Sequence, residues 1–265
     1  MQLKGGYPTM NTRQLTLAAF LLIPAVSFAL YNGSPSLPEM PENGFFMSKN
    51  SFIAVKVGYE GDYLLGRSLD ASHASDPGIR SMLNGGTLTL GFINRVELYS
   101  LLGATKSKVS VTADSEKIQL KTGQDFGGEI GIRANTPIWG DMKFGFDAKY
   151  FYAWPSLSSI KIGGNHVVAR GKVFQKEWQV GASISQTFAY FTPYVGVKFS
   201  RFYINYADLN SLRRWIPSKE INIQNEGPFG CFIGMGIAGK TGVYFDFEAR
   251  FIDEYGLTGA LGISF

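Results

Sequence analysis

Long stretches of this chain alternate strictly between apolar and polar residues. Between Phe52 and Leu64, Ile53, Val55, Val57, Tyr59 and Tyr63 hold one parity, and Ala54, Lys56, Gly58, Glu60 and Asp62 hold the other. Successive side chains of a strand point to opposite faces, so a period of two commits such a run to a strand with one apolar and one polar surface. The pattern returns in Met142, Phe144, Phe146, Ala148, Tyr150, Tyr152 and Trp154 against Lys143, Gly145, Asp147 and Lys149. It returns again in Val243, Phe245, Phe247, Ala249 and Phe251 against Tyr244, Asp246, Glu248 and Arg250. These runs extend over about 11 to 14 residues, roughly twice the length of an ordinary globular strand.

Composition narrows the class further. Aromatic residues make up 14% of the 265 positions and charged residues 17%, with a net charge of +4. A chain so rich in aromatics and so weakly charged is not disordered, and it has no basic footprint for nucleic acid. A membrane-spanning helix needs about 20 consecutive apolar residues, and the one run approaching that length lies near the N-terminus. There MNTRQLTLAAFLLIPAVSFA, from Met10, has a cation at Arg13, an apolar stretch from Leu15 to Ile23 and the small-x-small site Ser27-Phe28-Ala29. These features predict a signal peptide over residues 1–29, with Met10 as the true start and cleavage after Ala29. Residues 30–50 are then expected as a periplasmic N-terminal segment and residues 51–265 as the folded domain. Cys231 is alone, so stability does not rest on an intrachain disulfide.

Long strands with one apolar face fit either a soluble barrel, with that face inward, or a membrane barrel, with that face toward lipid. Strand length favours the second, because 9 to 11 tilted residues cross a bilayer. Aromatic residues near strand ends, among them Tyr63, Trp139, Tyr150, Trp154, Trp178, Tyr190, Tyr194 and Tyr255, suit interfacial girdles. The final strand alternates through Leu257, Gly259, Leu261, Ile263 and Phe265. A terminal Phe after such a strand resembles the signal read by the outer-membrane barrel assembly machinery, with Leu261, Ile263 and Phe265 carrying it. Tight joints at Asn94-Arg95, Ile138 to Gly140, Tyr190-Phe191 and Lys240-Thr241 alternate with long connections at 65–84, 111–123, 155–173 and 207–227. The expected fold is an all-β, transmembrane, antiparallel up-and-down barrel of about 10 to 12 strands in the outer membrane of a Gram-negative-type bacterium.

With the apolar parity toward lipid, the opposite parity reads as pore lining. Its cations are Lys56, Arg133, Lys143, Lys149, Lys198 and Arg250, and its anions are Glu60, Asp62, Asp125, Glu129, Asp147, Glu177, Asp246 and Glu248. The slight excess of acids predicts weak cation selectivity. A closed, salt-bridged interior is the competing expectation, since small barrels fill their own lumen.

Several blocks resemble the chlamydial major outer membrane protein family of porins. They are VGYEGDYLLGR (Val57 to Arg67), LGATKS (Leu102 to Ser107), EWQ (Glu177 to Gln179), FTPYVGVKFSR (Phe191 to Arg201) and FEARFIDE (Phe247 to Glu254). The resemblance implies a general porin, often trimeric, with a structural role in the envelope. This chain is shorter than a typical member and carries a single Cys where the family is rich in them.

Chemistry-bearing constellations are weak. His73 and His166 have no second ligand at metal spacing, and neither GxSxG nor HExxH occurs. Gly234, Gly236 and Gly239 spell GxGxxG, but between two strands rather than before a helix, where phosphate-binding mechanics need it. No catalytic residue, metal or cofactor is expected. Two functions stand: a porin passing ions and small polar solutes, or a non-conducting structural or surface-interaction barrel. In the second, Arg80, His166, Arg170, Arg213, Arg214 and Trp215 would meet lipopolysaccharide, a neighbouring envelope protein or a host surface.

Overall fold

The computed structural model describes residues 30–40, 44, 52–71, 75–113, 116–167, 171–207, 221–239 and 242–265. Its strands are β1 (Ile53–Ala71), β2 (Ser75–Phe92), β3 (Val96–Ala113), β4 (Glu116–Thr122), β5 (Asp125–Trp139), β6 (Met142–Ala153) and β7 (Leu157–Ile162). Then follow β8 (Asn165–Val167), β9 (Lys172–Gln186), β10 (Phe191–Ala207), β11 (Ile221–Asn225), β12 (Phe229–Ala238), β13 (Val243–Phe251) and β14 (Glu254–Ser264). All pairings are antiparallel, and the circuit closes where β14 meets β1, from Lys56 opposite Ser264 to Arg67 opposite Glu254.

Several elements are consecutive halves of one long strand. β4 and β5 run down the same side of β3, one against Lys108 to Ala113 and the other against Val96 to Thr105. β7 extends β6 in the same way, and β11 and β12 share the flank of β10. Counted so, the barrel is a closed ten-stranded antiparallel ring.

The ring changes size along its axis. The β13–β14 hairpin reverses at Ile252-Asp253, well below the tips of its neighbours. Above it β11 takes over, pairing with β10 from Tyr203 opposite Gln224 to Tyr206 opposite Ile221, and with β1 from Leu69 opposite Asn225 to Ala71 opposite Ile223. Ten strands at the end bearing the tight turns and Phe265 therefore give way to eight at the far end. Buried Asn225 holds the junction: its Oδ1 accepts from Phe202 N at 3.0 Å, and its Nδ2 donates to Ser200 O and Gly227 O at 3.0 and 2.7 Å. On β1, a bulge between Leu64 and Gly66 re-phases the strand at the same level.

The apolar face inverts across this junction. Near the turn end, β3 points Leu98 and Leu102 outward and Glu97 inward. Near the far end it points Leu101, Val109 and Val111 inward, with Lys106 exposed on the outside. β2, β4, β7, β10 and β11 repeat the inversion, sending Ile79, Leu83, Ile118, Leu120, Ile160, Ile204, Tyr206 and Ile223 into one apolar cluster inside the eight-stranded ring. A ring of eight strands is just wide enough for side chains to fill, and these fill it. The described residues of the stretches expected as long connections are largely strand for this reason: their alternation is tuned to an inner core rather than to an outer apolar belt.

Residues 30–40, expected on the periplasmic side, lie inside the ten-stranded part, with a short 3-10 turn at Leu37–Glu39. Tyr194, expected in a girdle, also points inward and is buried. Residues 1–29 with Ala29, and His73, Arg170, Arg213, Arg214 and Trp215, lie outside the described residues.

Candidate functional site

The interior of the ten-stranded ring is where the charged side chains converge. Lys56, Glu60, Asp62, Glu129, Arg133, Asp147, Lys149, Glu177, Lys198, Asp246, Glu248 and Arg250 are all buried. All but Glu60 and Asp246 join two ion-pair clusters, and Asp246 instead accepts from Tyr194 Oη at 2.6 Å. In the first, Lys56 pairs with Glu97 at 2.6 Å, and Glu97 with Arg133 at 3.4 Å. Arg133 meets Asp147 at 3.3 Å, and Lys149 bridges Asp147 and Glu129 at 3.5 and 3.4 Å. The second cluster lies beneath the narrow ring. Arg67 pairs with Glu177 at 2.8 Å and with Glu254. Lys198 reaches Asp253 at 3.0 Å and Glu254 at 2.5 Å, while Arg250 binds Glu248, Glu254 and Asp62.

Two of the expected lining residues sit differently. Asp125 has its Oδ2 2.7 Å from both Ser156 N and Ser156 Oγ, closing the break between β6 and β7 rather than joining the lumen clusters. Lys143 pairs with Glu39 of the inserted segment at 2.5 Å. Leu261 and Ile263 lie half-buried on β14 and Phe265, also half-buried, follows its last residue, with Phe265 N donating to Val55 O at 2.8 Å.

Within the two clusters, four partners escaped the sequence reading. Arg67 was hidden by the bulge, which shifts parity after Leu64, and Asp253 and Glu254 by their place at a turn. Glu97 was legible: it follows the tight joint at Asn94-Arg95, shares parity with Tyr99 and sits directly opposite Arg133.

The inserted segment is gripped from several sides. The Glu248 carboxylate accepts from Asn32 N at 3.0 Å and Gly33 N at 2.9 Å. Arg133 donates to Asn32 O at 2.6 Å, Asn135 to Pro35 O at 3.0 Å and Gln179 to Leu30 O at 3.2 Å, while Lys56 donates to Leu37 O. The Tyr31 ring lies under the charges of Arg133 and Lys149, 5.7 and 5.8 Å from its centre. Glycines on the inner wall make the room. A Cβ on Gly145 would stand 2.5 Å from Pro35 Cβ and 2.9 Å from its Cα, and one on Gly236 would stand 3.3 Å from Met40 Sδ. Gly236 and Gly234 of the GxGxxG run are thus explained by close approach of side chains inside the barrel.

Two seals are therefore stacked along one axis: a polar one, made by residues 30–40 and the ion-pair clusters, and an apolar one in the eight-stranded ring. Leu30 belongs to the apolar cluster and so joins the two. Among the described residues no group of three or more His, Cys, Asp or Glu is placed to hold a metal ion, and His166 is exposed on β8.

Among solved structures, the chain is similar to the outer membrane protein OprG from Pseudomonas aeruginosa, with 7% identity, TM-score 0.38, and coverage of 82% of this chain and 97% of that one. It is also similar to the outer membrane protease OmpT from Escherichia coli, at 9% identity, TM-score 0.44 and coverage of 80% and 94%. The NanC porin matches at 10% identity and TM-score 0.29, covering 79% of this chain and 98% of that one. Likeness at this level carries no information on activity. No family model and no curated protein matches the chain.

Proposed function

We propose that this protein is an outer-membrane barrel that keeps its lumen shut and serves the envelope as a structural or surface-interaction element. Membrane residence is supported by the inversion of the apolar face. Leu88, Leu102, Phe126, Ile130, Phe146, Val195, Val197, Ile233 and Phe247 make an exposed apolar belt around the ten-stranded part, where water would be a poor neighbour. Above the belt the same strands turn apolar residues inward, as a wall in water does. The blocks that resemble the chlamydial major outer membrane protein family fit the same reading, and we extend that kinship to this chain as part of the proposal.

The observation that carries the closed state is the apolar core of the narrow ring, because every buried member of it except Leu30 comes from the wall strands rather than from residues 30–40. A porin reading is favoured by one feature: residues 30–40 are no part of the wall and are held by side chains, so they are separable from it. Their removal would open only the lower chamber. The test is conductance of the folded full chain, and of a variant lacking residues 30–40, in planar bilayers. Silence from both is expected. Sustained stepwise openings from the full chain would overturn the closed reading, and openings from the deletion variant alone would make residues 30–40 a gate.

A further inference from the structure

The outer surface just above the apolar belt carries a dense set of cations. Arg80 on β2 stands directly opposite Lys108 on β3, and Lys108 directly opposite Lys121 on β4. Lys106 on β3 follows Lys108 on the same face, Lys117 lies one outward step from Gln119 on β4, and Lys161 on β7 stands opposite Gln119. Among the described residues none of these six forms an ion pair. Like charges placed opposite one another across strands destabilise a sheet, so folding alone gives no reason for this arrangement. The partial burial of Lys108 and the charges of Lys121, Arg80, Lys117 and Lys161 lower its pKa, the direction expected where cations crowd without an anion.

Beside the row runs a groove of about 590 Å³. Its upper wall includes Arg80, Lys108 and Lys117, with Asp76 beside them, and its lower wall includes exposed Leu65, Ile252 and Tyr255. Asp253 and Glu254 also line it, but their charges are met by Lys198 and Arg67. Cations lie above and apolar side chains below, at the level where the belt ends.

We propose that this face binds the phosphate groups of an outer-leaflet glycolipid of the lipid A type, with its acyl chains against the belt. The inference rests on the outer-membrane reading above. Phosphates would neutralise the row that the protein leaves unpaired, and juxtamembrane Lys and Arg gain from anionic headgroups at this height. A soluble anion would have no use for the apolar lower wall.

The test uses the folded full chain reconstituted in phosphatidylcholine nanodiscs, with lipid A added in diphosphoryl or fully dephosphorylated form. Retained lipid is counted by native mass spectrometry. The comparison variant combines Arg80→Gln, Lys106→Gln, Lys108→Gln and Lys121→Gln. Wild type should hold diphosphoryl lipid A at least about tenfold more tightly than the dephosphorylated form, and the variant should lose that preference. In lipid A-free discs the variant should melt higher than wild type, by about 2–4 °C, because its cross-strand repulsion is gone. Equal retention of the two lipid forms by wild type, or an unchanged preference in the variant, would overturn the site while leaving the membrane reading intact. Displacement of the lipid by millimolar inorganic phosphate would overturn the lipid assignment in favour of a soluble anion. Failure of wild type to enter phosphatidylcholine discs at all would overturn both readings.

Discussion

Replacing Gly145 with Val tests whether residues 30–40 are held in the barrel as described. A Cβ at Gly145 would stand 2.5 Å from Pro35 Cβ and 2.9 Å from its Cα, so the segment's own backbone must shift. Overpacking of this kind costs about 1–3 kcal/mol. Against it stand six hydrogen bonds between wall side chains and the backbone of residues 30–37. At a net worth of about 1 kcal/mol each they outweigh the strain, so the segment stays docked. Its undocked population should nonetheless rise roughly 5- to 150-fold, since about 1.4 kcal/mol is a factor of ten. The assay is thiol labelling at Ser36→Cys, a position 1% exposed, in a Cys231→Ala background with a reagent supplied from the turn end. The labelling rate should climb by that factor in the Gly145→Val protein while the barrel stays folded and electrically silent. Equal rates with and without Gly145→Val, or a parent rate already as fast as in unfolded protein, would refute the docking argument.

Three further outcomes follow from the same geometry. Leu83→Ala, at a fully buried position of the apolar cluster, should lower the unfolding free energy by about 2–5 kcal/mol in urea titrations followed by tryptophan fluorescence. Arg67→Met, which strips the cation from buried Glu177 and Glu254, should cost about 3–5 kcal/mol, and adding Glu177→Leu should recover part of it. The pKa of Lys108 is lowered from 10.5 in the folded protein, so the like-charge penalty is full below its folded value and fades as pH rises through that value toward 10.5. In lipid A-free discs the melting temperature should therefore rise across that alkaline window in wild type, and a flat profile indistinguishable from that of Lys108→Gln would contradict the crowding.

Much of the ring was legible because parity is a local property. The runs around Phe146 and Phe247 announced long strands, and the joint at Asn94-Arg95 announced a hairpin. Three things were not legible. The switch of β1 from β14 to β11 depends on register between residues over 150 positions apart, which no local pattern encodes. The polar, Pro-rich sequence of residues 30–40 reads as a linker because its hydrogen-bond partners, Glu248, Arg133 and Gln179, are distant in the chain. The apolar cluster was concealed by a change of phase: Leu98 and Leu102 on even positions give way to Leu101, Val109 and Val111 on odd ones. That shift was present in the sequence, and noticing it would have marked both the inner core and the level at which lipid ends.

The shortness of the last hairpin has a consequence for assembly. β1 is the common edge of two separate seams, one with β11 and one with β14. The upper seam needs only residues up to Asn225, so an eight-stranded ring can zip shut around its apolar core before β13 and β14 arrive. In that order of closure the C-terminal hairpin would enter as a wedge from below, widening a ring already closed above it. The same hairpin brings Glu248, Arg250 and Glu254 into the lumen, so the buried charge clusters and the grip on residues 30–40 are complete only with the second seam closed.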